Sequence, residues 1–175
     1  MAGAPLVLRL LAAGDEQQAT AAHEEMARDP FMFLLDDYRP DEPWAEYVDR
    51  VAGYSRNENV VDGRVPATFL VAEVDGVIVG RTSIRHGLND HLARWGGHIG
   101  YGVRPAFRRR GYATEILLRS LDVARDVGLS EALVVCYDDN VGSATVIERC
   151  GGVLNGLVVA EDGTTLMRHY WVPCG

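Results

Sequence analysis

The chain has 175 residues, 47% hydrophobic and 24% charged, with a formal net charge of −8. This length predicts a single domain, 1–175, able to bury an ordinary core without disulfide or metal staples. The acidic balance argues against nucleic acid as a partner, because a phosphate backbone calls for a broad basic face. Cys136, Cys150 and Cys174 are far apart and show no metal-ligand spacing. They predict free thiols, no metal and a cytoplasmic location, with Cys136 a small buried hydrophobe inside Val134-Val135-Cys136.

Taken in chain order, Leu6 to Leu11 reads as a strand. It is too short to span a membrane, Arg9 interrupts it, and no basic residue precedes it, so neither a membrane partner nor a signal peptide is expected. Asp15 is a candidate N-cap for a helix running to about Arg28. Phe31 to Pro43 is irregular, since Asp29-Pro30, Arg39-Pro40 and Glu42-Pro43 forbid a regular helix. Pro43 can open the next helix, Trp44 to about Ser55. Thr68 to Val74, the turn Asp75-Gly76 and Val77 to Ile84 form a β-hairpin. Gly87 to Gly97 is a polar loop. His98 to Val103 is small or apolar and extends as a strand, which Pro105 stops. Ala113, Ile116, Leu117, Leu121 and Ala124 recur at helical spacing. Ala132 to Tyr137 is a strand, and a helix around Ser143 ends near Gly151. Leu154 to Glu161, Asp162-Gly163 and Thr164 to Val172 make a terminal hairpin. There is no repeat, low-complexity tract or linker.

The informative segment joins the His98–Val103 strand to the helix that begins near Ala113. A helix start presents unpaired N–H groups and a partial positive charge. Arg108, Arg109 and Arg110 add full charge, and Gly111 lets an anion approach the backbone. This combination suits a pyrophosphate. The segment lacks the lysine and hydroxyl of an ATP loop and is not a dinucleotide fingerprint, because Gly100-x-Gly102 precedes the proline.

The pattern Arg108-x-x-Gly111-x-Ala113 resembles the coenzyme-A loop of the GNAT N-acetyltransferase superfamily. Asn140-x-x-Ser143, on a helix ending at a glycine, resembles a second motif of that superfamily. The likeness is firm over about residues 97 to 152. It implies an α/β (α+β) fold, a mixed and mostly antiparallel sheet with a splayed parallel strand pair, flanked by helices. The implied activity is acetyl transfer from acetyl-CoA, a co-substrate, to a primary amine of a small molecule or protein, by direct attack in a ternary complex. The alternative is a non-catalytic acyl-CoA-binding or regulatory module. Homodimers are frequent in families that it resembles.

The resemblance also assigns roles. Backbone groups of Tyr101, Gly102 and Val103 would hold the pantetheine arm, and amides from Arg109 through Arg110, Gly111, Tyr112 and Ala113 to Thr114 the pyrophosphate. A donor near Val103 would face the thioester oxygen as it turns negative. Asn140, with Ser143, would meet the pantetheine end, or Asn140 is simply a helix N-cap. The family's usual tyrosine acid, seven residues after the asparagine, is Ile147 here. Tyr137, Tyr101 or water would then protonate the thiolate. His98, Glu73 or ordered water would take the amine proton. Asp36, Asp37, Tyr38, Asp41, Glu42 and Trp44 give an acidic, aromatic segment beside the acceptor site, favouring a cationic amine.

Overall fold

The computed structural model describes residues 4–175. Its strands are β1 (Val7–Leu10), β2 (Ala67–Val74), β3 (Val77–Arg85), β4 (Ile99–Val103), β5 (Glu131–Tyr137), β6 (Val153–Val159) and β7 (Leu166–Pro173). Its helices are α1 (Glu16–Glu25), α2 (Trp44–Tyr54), α3 (Tyr112–Asp126) and α4 (Val141–Arg149). The strands form two antiparallel sheets, ordered β1-β2-β3-β4 and β5-β7-β6. The mixed α/β fold expected from the sequence is therefore present.

Two apolar layers hold the sheets between helices. On one side Leu117, Leu121, Ala144 and Ile147 of α3 and α4 pack with Ile99, Val134, Tyr170 and Val172. On the other, Ala22 and Met26 of the α1 region and Tyr47 and Val51 of α2 pack on Phe69, Val71 and Ile78. Phe33 and Leu34, from the α1–α2 connection, are fully buried in this second layer. The proline-broken connection is irregular in backbone yet anchored by its side chains.

The two sheets meet at one point. The His98 N–H donates to the Leu133 carbonyl at 2.7 Å, and the Leu133 N–H donates to His98 Nδ1 at 2.9 Å. Gly97 permits this approach, since a Cβ there would lie 2.5 Å from the Leu133 carbonyl oxygen. Among the described residues no ladder continues between β4 and β5. The C-terminal stretch of β4 thus keeps an open edge.

Three local expectations need correction. Asp15 does not cap α1 with its side chain. Its carboxylate accepts from the Ala12 N–H at 2.8 Å and pairs with Arg9 at 2.7 Å, and a charged guanidinium is the stronger partner. The helix ends at Glu25, not Arg28, and closes in turns ahead of Asp29-Pro30. The loop before β4 contains a π-helical turn, Leu92–Gly96. Trp95 Nε1 donates to the Val159 carbonyl at 3.0 Å and His169 Nε2 to the Arg94 carbonyl at 2.7 Å. These bonds tie the turn to the second sheet.

Candidate active site

Hydrogen bonding along β3 decides which β4 groups are free. The Arg85 N–H reaches the His98 carbonyl at 2.8 Å, and the Arg104 N–H reaches the Val79 carbonyl at 2.9 Å. Antiparallel pairing alternates, so Gly100 and Gly102 turn their backbone groups towards β3. Those of Ile99, Tyr101 and Val103 turn to the gap beside β5. The expected backbone contacts to a pantetheine arm therefore narrow to Tyr101 and Val103. The Val103 carbonyl is itself occupied, accepting from Arg108 Nε at 3.0 Å.

Beyond Val103 the chain makes a short 3₁₀ turn, Pro105–Phe107, and enters α3 through Gly111. Gly111 has φ +85°, and nothing lies within 4 Å of where its Cβ would be. No side chain caps α3. The first backbone bond of the helix comes from the Glu115 N–H to the Gly111 carbonyl at 3.2 Å. The amides of Gly111, Tyr112, Ala113 and Thr114 thus have no intrahelical acceptor. This is a ready anion cradle. The arginines divide their work. Arg108 braces the loop, pairing with Asp29 as well as with the Val103 carbonyl. Arg110 donates to the Ala106 carbonyl at 3.1 Å, and Arg109 is exposed.

Asn140 Oδ1 accepts from the Ser143 N–H at 3.0 Å, so Asn140 is the N-cap of α4. The Ser143 hydroxyl lies 3.1 Å from the Tyr101 hydroxyl. Burial raises the Tyr101 pKa above its ordinary value, against the effect of the Ser143 contact. Ile147 is fully buried in the α3/α4 core layer. Tyr137 ends β5, partly exposed. Its neighbours in sequence, Cys136 and Val134, face the α3/α4 layer, and alternation along a strand puts Tyr137 on the opposite face of the sheet.

The two expected bases are both engaged. Glu73 accepts from Arg9 Nε at 2.6 Å. It lies on β2, which β3 separates from β4. His98 uses Nδ1 as the acceptor for Leu133, so the neutral ring carries its proton on Nε2. Burial first, then Arg85, lowers the His98 pKa. In that state the ring has no free lone pair for an amine proton. His98 instead replaces a carbonyl at the junction of the sheets.

A cavity of about 450 Å³ opens on the α1/α2 face. Its walls come from the α1–α2 connection (Phe31, Met32, Asp36), the end of α2 (Tyr54), the segment before β2 (Arg64), the strand β3 (Arg81, Ser83, Arg85) and the turn at His91. Directly paired residues share a sheet face, and the pairs are Arg81 with Gly102 and Ser83 with Gly100. The cavity floor is therefore continuous with the glycine face of β4. The Phe31 ring lies over those glycines, and a Cβ on Gly102 would lie 2.6 Å from it.

The acidic segment proves largely neutralised. Arg50 pairs with Glu42 at 2.6 Å and with Asp37 at 3.3 Å, and Tyr54 donates to Asp37. Asp36 pairs with Arg64 at 2.8 Å. Tyr38 and Trp44 pack edge-on in an aromatic cluster, with Trp44 Nε1 donating to the Ala12 carbonyl at 3.1 Å. Arg81, Ser83 and Arg85 are the residues that the sequence reading missed. Their signal was charged or hydroxyl side chains at 81, 83 and 85 of a strand that begins Val77-Ile78-Val79. Arg81 is 5% exposed. Burial, with Arg85 nearby, lowers its pKa to about 9, which still leaves it charged at neutral pH.

An open strand edge, the uncapped amides of α3 beside it and a cavity on the same strand therefore lie together. A family model described as "Acetyltransferase (GNAT) domain" matches residues 6–153, and the chain belongs to that family. No curated protein matches the chain. Among solved structures it is similar to Mycobacterium smegmatis RimJ in complex with CoA-disulfide, at TM-score 0.70 and 18% identity, over 96% of this chain and 81% of that one. It is also similar to the microcin C7 self-immunity acetyltransferase MccE in complex with acetyl-CoA and AMP, at 0.67 and 19%, over 96% and 92%. An N-acetyltransferase from Staphylococcus aureus Mu50 matches at 0.66 and 14%, over 98% and 99%. These likenesses establish the shared fold. Among the described residues no helix is long and apolar enough to cross a membrane.

Proposed function

We propose that this protein is an acetyl-CoA-dependent N-acetyltransferase acting by direct attack in a ternary complex. The observation that carries this reading is the free edge of β4 running into the uncapped amides of α3, with the cavity on the glycine face of the same strand. The amides from Arg109 to Thr114 hold the pyrophosphate. The Tyr101 and Val103 edge pairs with the pantetheine arm. The Val103 N–H donates to the thioester oxygen as it gains charge. The amine enters from the cavity, its lone pair forms the new C–N bond, and the C–S bond breaks. The departing thiolate takes a proton from the Tyr101 hydroxyl with Ser143, from Tyr137, or from water. With Glu73 and His98 engaged, water in the cavity carries away the amine proton.

The same engagement of Glu73 and His98, together with the buried Ile147, supports a second reading, a module that binds acyl-CoA without turnover. One measurement tests what the readings share and a second separates them. Acetyl-CoA raises the melting temperature under both, by linkage, and no shift at roughly millimolar CoA, well above ordinary affinities, would overturn both. Release of free CoA thiol with a panel of amines occurs only under the first. A cytoplasmic location fits the three free cysteines. A homodimer remains a proposal for sedimentation to test.

A further inference from the structure

The cavity carries an electrostatic imbalance. Among the described residues its charged lining consists of Arg64, Arg81, Arg85 and Asp36. Asp36, its single carboxylate, is held by Arg64. Among the described residues Arg81 and Arg85 have no ion pair, unlike Arg9 or Arg50. Arg81 is wedged between phenyl rings, its guanidinium carbon 3.9 Å from the Phe31 centroid and 5.4 Å from that of Phe69. One nitrogen, Nη2, donates to the Met32 carbonyl at 2.5 Å. Its Nε is buried without any hydrogen-bond partner. Arg85 gives Nη1 to the Gly96 and Gly97 carbonyls at 3.0 and 3.3 Å. A buried cation and an orphaned donor are both costly unless something pairs with them. Other buried or half-buried arginines in this chain do have carboxylates, as Arg9 and Arg50 show. The deficit is specific to the cavity, and it lies beside the strand where acetyl transfer takes place.

We propose that the acceptor is an amine that also bears an anionic oxygen group, and that Arg81 and Arg85 bind that group in the cavity. The ligand chemistry is a carboxylate or a phospho-type oxyanion on a small molecule, with an α-amino acid as the simplest carrier. A guanidinium offers paired donors to such oxygens. The volume suits a small ligand. Ser83, buried and between the two arginines on β3, adds a hydroxyl to the same wall. The anion at the arginines leaves the amine to reach towards the glycine face of β4. This rests on the acetyltransferase reading above.

The experiment pairs acceptors that differ only in the anion. CoA-thiol release is measured for α-amino acids, for their decarboxylated amines and for matching aminoalkylphosphonates. Binding of the N-acetyl amino acids is measured by calorimetry in the presence of CoA. At least about tenfold higher kcat/KM for anion-bearing acceptors is expected, since a site with buried donors rejects ligands that leave them unpaired. The carboxylate and phosphonate arms show which oxyanion fits. Arg81→Met and, as a second variant in case the first fails to fold, Arg85→Met should shrink that preference by raising KM, with CoA binding intact as the check on folding. Decarboxylated amines used as well as amino acids, or a preference unchanged in both variants, would overturn the proposal. If N-acetyl amino acids bind through Arg81 and Arg85 but no acceptor releases thiol, the anion site stands and the acetyltransferase reading falls.

Discussion

The two halves of this site are built from different materials. The half proposed to meet CoA is backbone, namely the β4 edge at Tyr101 and Val103 and the first amides of α3. The half proposed to meet the acceptor is side chains, drawn from the α1–α2 connection, α2, β3 and the turn at His91. Their arginines make the contrast plain. Arg108 and Arg110, two positions apart in sequence and exposed, spend their donors on carbonyls and on Asp29. Arg81 and Arg85, inconspicuous in the sequence, keep uncompensated charge in the cavity. A visible cluster of charge therefore need not be the binding charge. Burial without a partner is the better indicator, because solvent screens the first and not the second.

The largest effect should come from striking the backbone half alone. Gly111→Asp adds a Cβ and a negative charge where the α3 amides face the phosphates. Losing charge-assisted hydrogen bonds of roughly 1.5–3 kcal/mol each should weaken CoA binding by about 10–100-fold or more, measured by calorimetry. Binding of N-acetyl amino acids at the arginine wall should persist in this variant. Unchanged CoA affinity in the folded variant would show that the loop is not the phosphate site, and the contrast between the halves would dissolve.

The seam between the halves is sharpened by the tyrosines. Tyr101→Phe removes the hydroxyl that meets Ser143, and Tyr137→Phe removes the hydroxyl at the end of β5. With water able to share the proton transfer, each should lower kcat by less than roughly 10²-fold, the low end for a positioned general acid. Tyr101→Phe should cost the more of the two. A loss of several thousand-fold (~10³ or above) in either variant, with CoA binding kept, would identify that tyrosine as the single essential acid.

The smallest effect concerns the point where the sheets are tied. His98 accepts from Leu133 only while its Nδ1 is unprotonated. Burial holds its folded pKa below the ordinary 6.5. The unfolded chain takes up this proton first as pH falls, so the stabilisation is complete above about pH 6.5 and fades as pH drops towards the folded value. His23 and His86, lowered chiefly by burial, act in the same direction. Denaturant midpoints should therefore fall from about pH 7.5 to about pH 5.5, less steeply in His98→Asn. His98→Ala should cost about 1–3 kcal/mol at neutral pH by orphaning the Leu133 N–H. If His98→Asn instead lost the acidic limb of the kcat/KM profile with stability unchanged, His98 would be the base after all.

What the sequence determined by itself is what short-range chemistry dictates. Ile116, Leu117, Leu121 and Ala124 recur at helical spacing and are buried on α3. Asp75-Gly76 turns the β2–β3 hairpin, and Gly111 at φ +85° leads into the uncapped start of α3. Each depends on a few neighbouring residues, so the pattern and the structure agree, and so does the fold class. Where several groups compete for one partner, only the tertiary structure decided. Asp15 looked like a cap until Arg9 claimed it, and Asp37 and Glu42 looked like an acidic wall until Arg50 neutralised them. Glu73 and His98 looked like bases until Arg9 and Leu133 occupied them. The cavity wall lay further from reach, because Phe31, Asp36, Arg64, Arg81 and Arg85 meet only after the helices close over β3. Which of their charges stays unpaired depends on contacts between residues tens of positions apart, and local spacing does not encode those contacts.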